Sequence, residues 1–468
     1  MTPPVAIGFL ILLVGAALAL APQRYVRGAA LWSIALSGCA FLWHSASAPR
    51  SWWSTDPIGL FLAMGTLTIG LCVCAYTWRQ FDGEQRGGPL LSASIIVIAS
   101  VIATDFAATF AALALSWTVT SLSTIMLLGL GAGWRRHAPA RRAAVTFAIA
   151  DCTLVIGFVV ATSLSRLSLA APLDLRVAGA GAVVALVAAV IAAVLRAGMG
   201  AGRSWVSATV NAPTSISALL HAGVVNAGAL LLIRVQAVTG SGPLFGVLLS
   251  SLCAAQLLVL APRIHARVDL KGQLATSTIA QMAFMLLALA LGWPALALTH
   301  LFGHGLYKAG RFMASAGAVE TRARFRRRQP RGSQLGVGTR AMSALLLLVG
   351  CLSIGAGVGG DVLAVSAVLA PAVVVIWWTR TAVAVRAAIT FWIGLLSAAL
   401  VYELIVWVVT TTLAETVPSG AWRAPWWTLG VATVAIAALN RVRQNGAASD
   451  LYVIESNTRS RPRVAVAA

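Results

Sequence analysis

The chain has 468 residues, of which 59% are hydrophobic and only 10% charged, with a formal net charge of +21. Soluble domains carry roughly 25% charged residues, so a water-soluble globular domain is excluded: too little polar surface is available to cover this much apolar side chain. Nucleic-acid binding is excluded as the meaning of the positive charge. The arginines punctuate apolar segments instead of forming one basic face, and charge between membrane spans is first a topology signal.

Continuous runs of roughly 18 or more apolar residues, rich in Ala, Leu and Val, predict transmembrane helices. A membrane β-barrel would show ten-residue alternation instead. In chain order the spans are predicted at 5–21, 29–46, 58–77, 90–105, 108–131, 143–164, 178–199, 213–233, 243–261, 274–292, 294–316, 341–358, 361–378, 387–410 and 425–440. The fold class is an all-α polytopic membrane protein of about 13–15 helices. The first segment has no basic residues ahead of it and is expected as a retained helix, not a cleaved signal. Proline and hydroxyls at membrane depth in Asn211-Ala-Pro213-Thr214 predict a broken helix near residue 213, whose freed carbonyls can face a cavity. One transmembrane domain is expected over residues 1–442, then a disordered tail over 443–468.

Arginines follow the odd-numbered spans: Arg24 and Arg27, Arg79 and Arg86, Arg135 to Arg142, Arg203, Arg263 and Arg267, six between Arg322 and Arg331, then Arg380 and Arg386. Even loops are poorer. The positive-inside rule therefore places the N-terminus outside, and the odd loops and C-terminus in the cytoplasm, of a cell membrane.

Ionisable groups inside a bilayer are costly, so each is a functional hypothesis. They are Asp105, Asp151, Arg196, His221, Lys271, His300, His304, Lys308, Asp361 and Glu403. The spacing i, i+4, i+8 puts His300, His304 and Lys308 on one helical face. Such a stripe suits a proton relay, because histidine titrates near neutrality and a buried lysine is easily brought towards it. Interhelical hydrogen bonding is the bland alternative. Zinc is the other, but no HExxH glutamate or third ligand is visible. Of the 34 basic residues only Lys271 and Lys308 are lysine, the one of the two types that can lose its proton. Asp151 and Arg196 can pair as structural glue. The six cysteines show no metal or cluster spacing, and no cofactor is expected.

Three segments carry a family pattern: APTSISALLHAGVVNAGALLLIR (212–234), DLKGQLATSTIAQMAFMLLAL (269–289) and HLFGHGLYKAGRFMASAGAV (300–319). Over about residues 55–320 they resemble the antiporter-like subunits of respiratory complex I and Mrp antiporters. Within that superfamily they are more similar to the DabB membrane subunits of inorganic carbon transporters. The resemblance implies an antiporter-like bundle with an ion path at His221, Lys271, His300, His304 and Lys308, and it places the span-six aspartate at Asp151. It also implies a complex with a DabA-like, zinc-containing cytosolic subunit that converts carbon dioxide to bicarbonate, driven by H⁺ or Na⁺. Two positions depart from the pattern. Thr118 follows Trp117 where a glutamate is usual, and Arg196 replaces the span-seven lysine. The extra spans and lateral helix of the complex I counterpart are not expected. The alternatives are a proton-translocating subunit of a quinone oxidoreductase or Mrp antiporter, and a non-conducting scaffold for a cytosolic enzyme.

Overall fold

A computed structural model describes residues 3–316, apart from 23, 43–51, 54–55, 132–136, 174, 176, 241 and 266–268. The spans expected after residue 340, Asp361, Glu403 and the tail lie outside the described residues.

The first eleven apolar runs each become helical. The helices are α1 (Pro3–Leu18), α2 (Arg24–Leu42), α3 (Pro57–Gln80), α4 (Gly87–Asp105), α5 (Phe110–Leu130), α6 (His137–Leu164) and α7 (Gly179–Arg196). A short α8 (Arg203–Ala208) follows, then α9 (Thr214–Ala222), α10 (Ala227–Thr239), α11 (Pro243–His265), α12 (Leu270–Ala290) and α13 (Pro294–Ser315). Among the described residues, seven helical spans are long and apolar enough to cross a membrane. The molecule is a multi-pass membrane protein. Large apolar side chains such as Leu10, Trp32, Leu122, Ile156, Val187 and Leu248 are exposed, which in a bilayer is the lipid-facing surface.

Local chemistry sets the helix ends. Thr109 caps α5 by accepting from Ala112 N at 3.1 Å, and Asp269 caps α12 by accepting from Gly272 N at 2.7 Å. Pro57 and Pro294 stand in the first turns of α3 and α13, where a missing N–H costs nothing. Helix α7 ends in a Schellman motif: Met199 N donates to Val194 O and Gly198 N to Leu195 O, with Gly198 at φ 76°. That left-handed residue turns the chain into α8.

The discontinuity expected near residue 213 lies in the extended pair Ala212–Pro213, between a 3-10 turn (Thr209–Asn211) and α9. A second one follows inside the same span. Helix α9 stops at Ala222, a 3-10 turn runs over Val224–Asn226, and α10 resumes at Ala227. Among the described spans this broken one is the most enclosed. It packs against α13, α3 and α7, while α12 packs beside α13.

Candidate functional site

Helix α13 faces α12 and the break in α9–α10. Lys308 is completely buried; its ammonium donates to Leu274 O at 3.0 Å and to Ser277 Oγ, both from α12. Both acceptors are neutral, and no carboxylate pairs with Lys308 among the described residues. One turn away, His304 pairs through Nδ1 with Gln281 Oε1, and its Nε2 lies 3.2 Å from His221 O. The His221 ring stacks on Phe312 at 4.5 Å, and its Nε2 is 2.8 Å from Thr209 Oγ1. His300 is half-buried, with its ring 6.0 Å from His304 and 5.1 Å from Phe284. Lys271 starts α12 and donates to Ala212 O at 3.0 Å, a carbonyl freed by the first discontinuity. The structure thus gathers His221, His304 and Lys308 around the break. Lys271 stands at one end of the bundle and His300 on the other side of His304.

Close approach makes this arrangement possible. A Cβ at Gly305 would lie 2.7 Å from Ile69 Cδ1 and 3.0 Å from Ala222 O. Glycine there lets α13 touch the broken backbone.

Arg196 occupies a separate buried site between α5, α6 and α7. Its Nη2 donates to Ser121 Oγ at 2.7 Å and Trp117 O at 3.2 Å, and lies 3.5 Å from Asp151 Oδ1. Ser121 Oγ donates to Asp151 Oδ1 at 3.0 Å. The guanidinium lies 4.4 Å from the Trp117 ring centre and 4.3 Å from that of Phe147, a cation–π contact on each. Thr118 is half-buried and bonds Ala114 O of its own helix at 3.0 Å, so it takes no part in the cluster.

Gln281, Ser277, Thr209 and Ser121 join these sites without having stood out in the sequence. Gln281 and Ser277 lie within the segment quoted for its family pattern, which was the available signal. Thr209 and Ser121 are ordinary small polar residues, and only the fold brings them to a charge. The ring contacts of Trp117 and Phe147 were equally invisible.

A model of the family described as NADH:quinone oxidoreductase/Mrp antiporter, transmembrane, matches residues 107–390. A probable inorganic carbon transporter subunit DabB of Bacillus anthracis is 25% identical over 291 residues, covering 57% of this chain and 54% of that protein. The probable DabB of Bacillus subtilis (strain 168) is 40% identical over 115 residues, covering 25% of this chain and 23% of that protein. The chain thus spans about half or less of the length of these relatives. Among solved structures, the Mrp complex from Dietzia sp. DQ12-45-1b matches with a TM-score of 0.65 and 21% identity, over 98% of this chain and 60% of that one; this likeness is one of fold.

Proposed function

Because this chain belongs to the NADH:quinone oxidoreductase/Mrp antiporter transmembrane family, we propose that it is the cation-coupled membrane subunit of an inorganic carbon uptake complex. On this reading Lys271, Lys308, His304, His221 and His300 carry H⁺ or Na⁺ across the membrane. The flow drives a zinc-containing, DabA-like cytosolic partner that converts carbon dioxide to bicarbonate. The names of the DabB relatives support the carbon substrate, and the geometry of α12 and α13 supports the ion path.

The observation that carries the path is Lys308. Its cation is fully buried and faces a carbonyl and a hydroxyl, with no counter-ion among the described residues. Holding such a charge in a low-dielectric bundle is costly, and a purely structural role would be met better by an apolar side chain. Lysine, unlike arginine, relieves the cost by releasing its proton, and the His304 and His221 groups nearby can take one up. The same bundle is proposed to sit in the cell membrane with the N-terminus outside and the arginine-rich odd loops in the cytoplasm. A reporter fused near Gly240 then reads external and one after Arg331 cytoplasmic, and the reverse labelling contradicts that orientation.

Gradient-driven uptake of labelled inorganic carbon tests the path in cells carrying the whole complex. His304→Ala and Lys308→Ala are each expected to lower uptake by about 100-fold, the scale of losing a positioned proton-transfer group, with the complex still assembled. Wild-type uptake in both variants removes the ion path and favours the scaffold reading. That second reading draws its support from Arg196, which stands clamped by Asp151 and two rings where the family pattern has a lysine. Co-purification of redox subunits in place of the cytosolic partner favours a place in a quinone oxidoreductase.

A further inference from the structure

At the end of the bundle opposite Lys271, three helix segments converge. Asp56 precedes α3, Asp105 ends α4 and Arg234 lies in α10. Arg234 Nη2 donates to Asp56 Oδ1 at 2.8 Å and also to the backbone carbonyl of Asp105. The fold reserves room for this contact. A Cβ at Gly59 would stand 2.5 Å from Asp105 O and 2.6 Å from Asp56 Oδ1. The pair is partly open to the surface, with side-chain exposures of 13% for Arg234 and 30% for Asp56.

Asp105 itself is only 3% exposed, and its carboxylate stands apart from that direct ion pair. Thr66 lines the same cavity, and Oδ2 has no hydrogen-bond partner among the described residues. Asp105 lines a cavity whose walls are mostly apolar and whose polar residues include Thr66, Thr104, Thr120 and Asn226. Asn226 Oδ1 is a second buried oxygen with no partner among the described residues. The break in α9–α10 also lines the cavity, through Ala222, Gly223 and Asn226. Ala222 adjoins His221, whose carbonyl lies 3.2 Å from His304 Nε2. The cavity therefore runs from a buried acid to the backbone that holds the histidine row. Its polar residues give entering water the partners it needs, and a buried carboxylate with an unpartnered oxygen is costly at membrane depth unless used.

We infer that Asp105 is the outer proton-carrying group of the path, facing the cavity, with the Arg234–Asp56 pair as the screen between it and the surface. The inference rests on the ion-path reading above and adds a residue, a cavity and the proton as the carried ion. An O–H bond forms at Oδ2 when a proton arrives from the surface side. The same bond breaks when the proton passes through the cavity towards His304, so charge moves and nothing is consumed.

The test uses the complete complex in sealed vesicles loaded with a pH-sensitive dye, with flux driven by an imposed gradient. Asp105→Asn keeps the shape and cannot carry the proton; it is expected to cut flux by about 100-fold. Asp105→Glu is expected to restore most of it. Val101→Phe, on the cavity wall, leaves the carboxyl in place and is expected to block flux by filling the space. Wild-type flux in Asp105→Asn overturns the inference. So does equal loss in the Asn and Glu variants together with normal flux in Val101→Phe, which marks Asp105 as structural. Flux that needs external sodium and leaves the dye silent overturns the proton assignment. Lys308→Ala separates the two levels. If it is inactive while Asp105→Asn is normal, the Asp105 assignment alone fails; if both conduct normally, the ion-path reading fails with it.

Discussion

Two buried cations occupy the same bundle in opposite surroundings. Arg196 is held by a carboxylate, a hydroxyl, a carbonyl and two aromatic rings. Lys308 is held by one hydroxyl and one carbonyl. Every feature of the first site stabilises a permanent charge, and arginine has no accessible neutral form. The second site offers only neutral acceptors, which serve an ammonium and tolerate an amine. The difference separates a charge that fastens helices from one that can come and go. It also explains how an arginine is held where the family pattern has a lysine: Asp151, reaching in from α6, supplies the counter-charge that Thr118 does not, and Ser121 from α5 supplies a hydrogen bond.

The comparison breaks most visibly at Arg196. Arg196→Gln alone, or Asp151→Asn alone, leaves part of a buried polar cluster unmatched, and each is expected to cost about 3–5 kcal/mol of stability in detergent unfolding. The double variant is expected to recover part of that loss. Strictly additive damage contradicts direct pairing. Gly305→Val is the next largest expected effect. The added Cβ meets Ile69 and Ala222 O, and overpacking of this kind costs about 1–3 kcal/mol. The neighbouring Gly303 has open space around its Cβ position, so Gly303→Val serves as the control and is expected to unfold like the wild type. Equal stability of both glycine variants contradicts the close approach of α13 to the break. The smallest expected effect is at Thr209→Val, which removes the partner of His221 Nε2 and should cost about 1 kcal/mol.

The first eleven spans were legible because each needs only an unbroken apolar run, and runs of that kind need no knowledge of their neighbours. The first discontinuity was legible through Pro213. The second was not: His221-Ala-Gly-Val-Val-Asn226 contains no proline, and a single glycine is tolerated inside a helix. What ends α9 there is tertiary, since Gly305 brings α13 against Ala222 O and Asn226 Nδ2 turns back onto the same carbonyl at 2.7 Å. At the candidate site, the shared face of His300, His304 and Lys308 followed from helical spacing. Their acceptors did not, because Leu274 O is backbone and Ser277 and Gln281 are neutral residues with no signal of their own. Asp105 stood out as an intramembrane acid, but its cavity depends on α3, α4, α5 and the break meeting in space.

The central claim is that Lys308 works by releasing its proton, and the most direct measurement is proton flux through the complete complex in sealed vesicles carrying Lys308→Arg. The substitution keeps the positive charge and removes the ability to discharge it. Flux is expected to be as low as in Lys308→Ala, with the complex assembled at wild-type yield. Wild-type flux in Lys308→Arg would contradict it and reduce Lys308 to a fixed structural cation like Arg196.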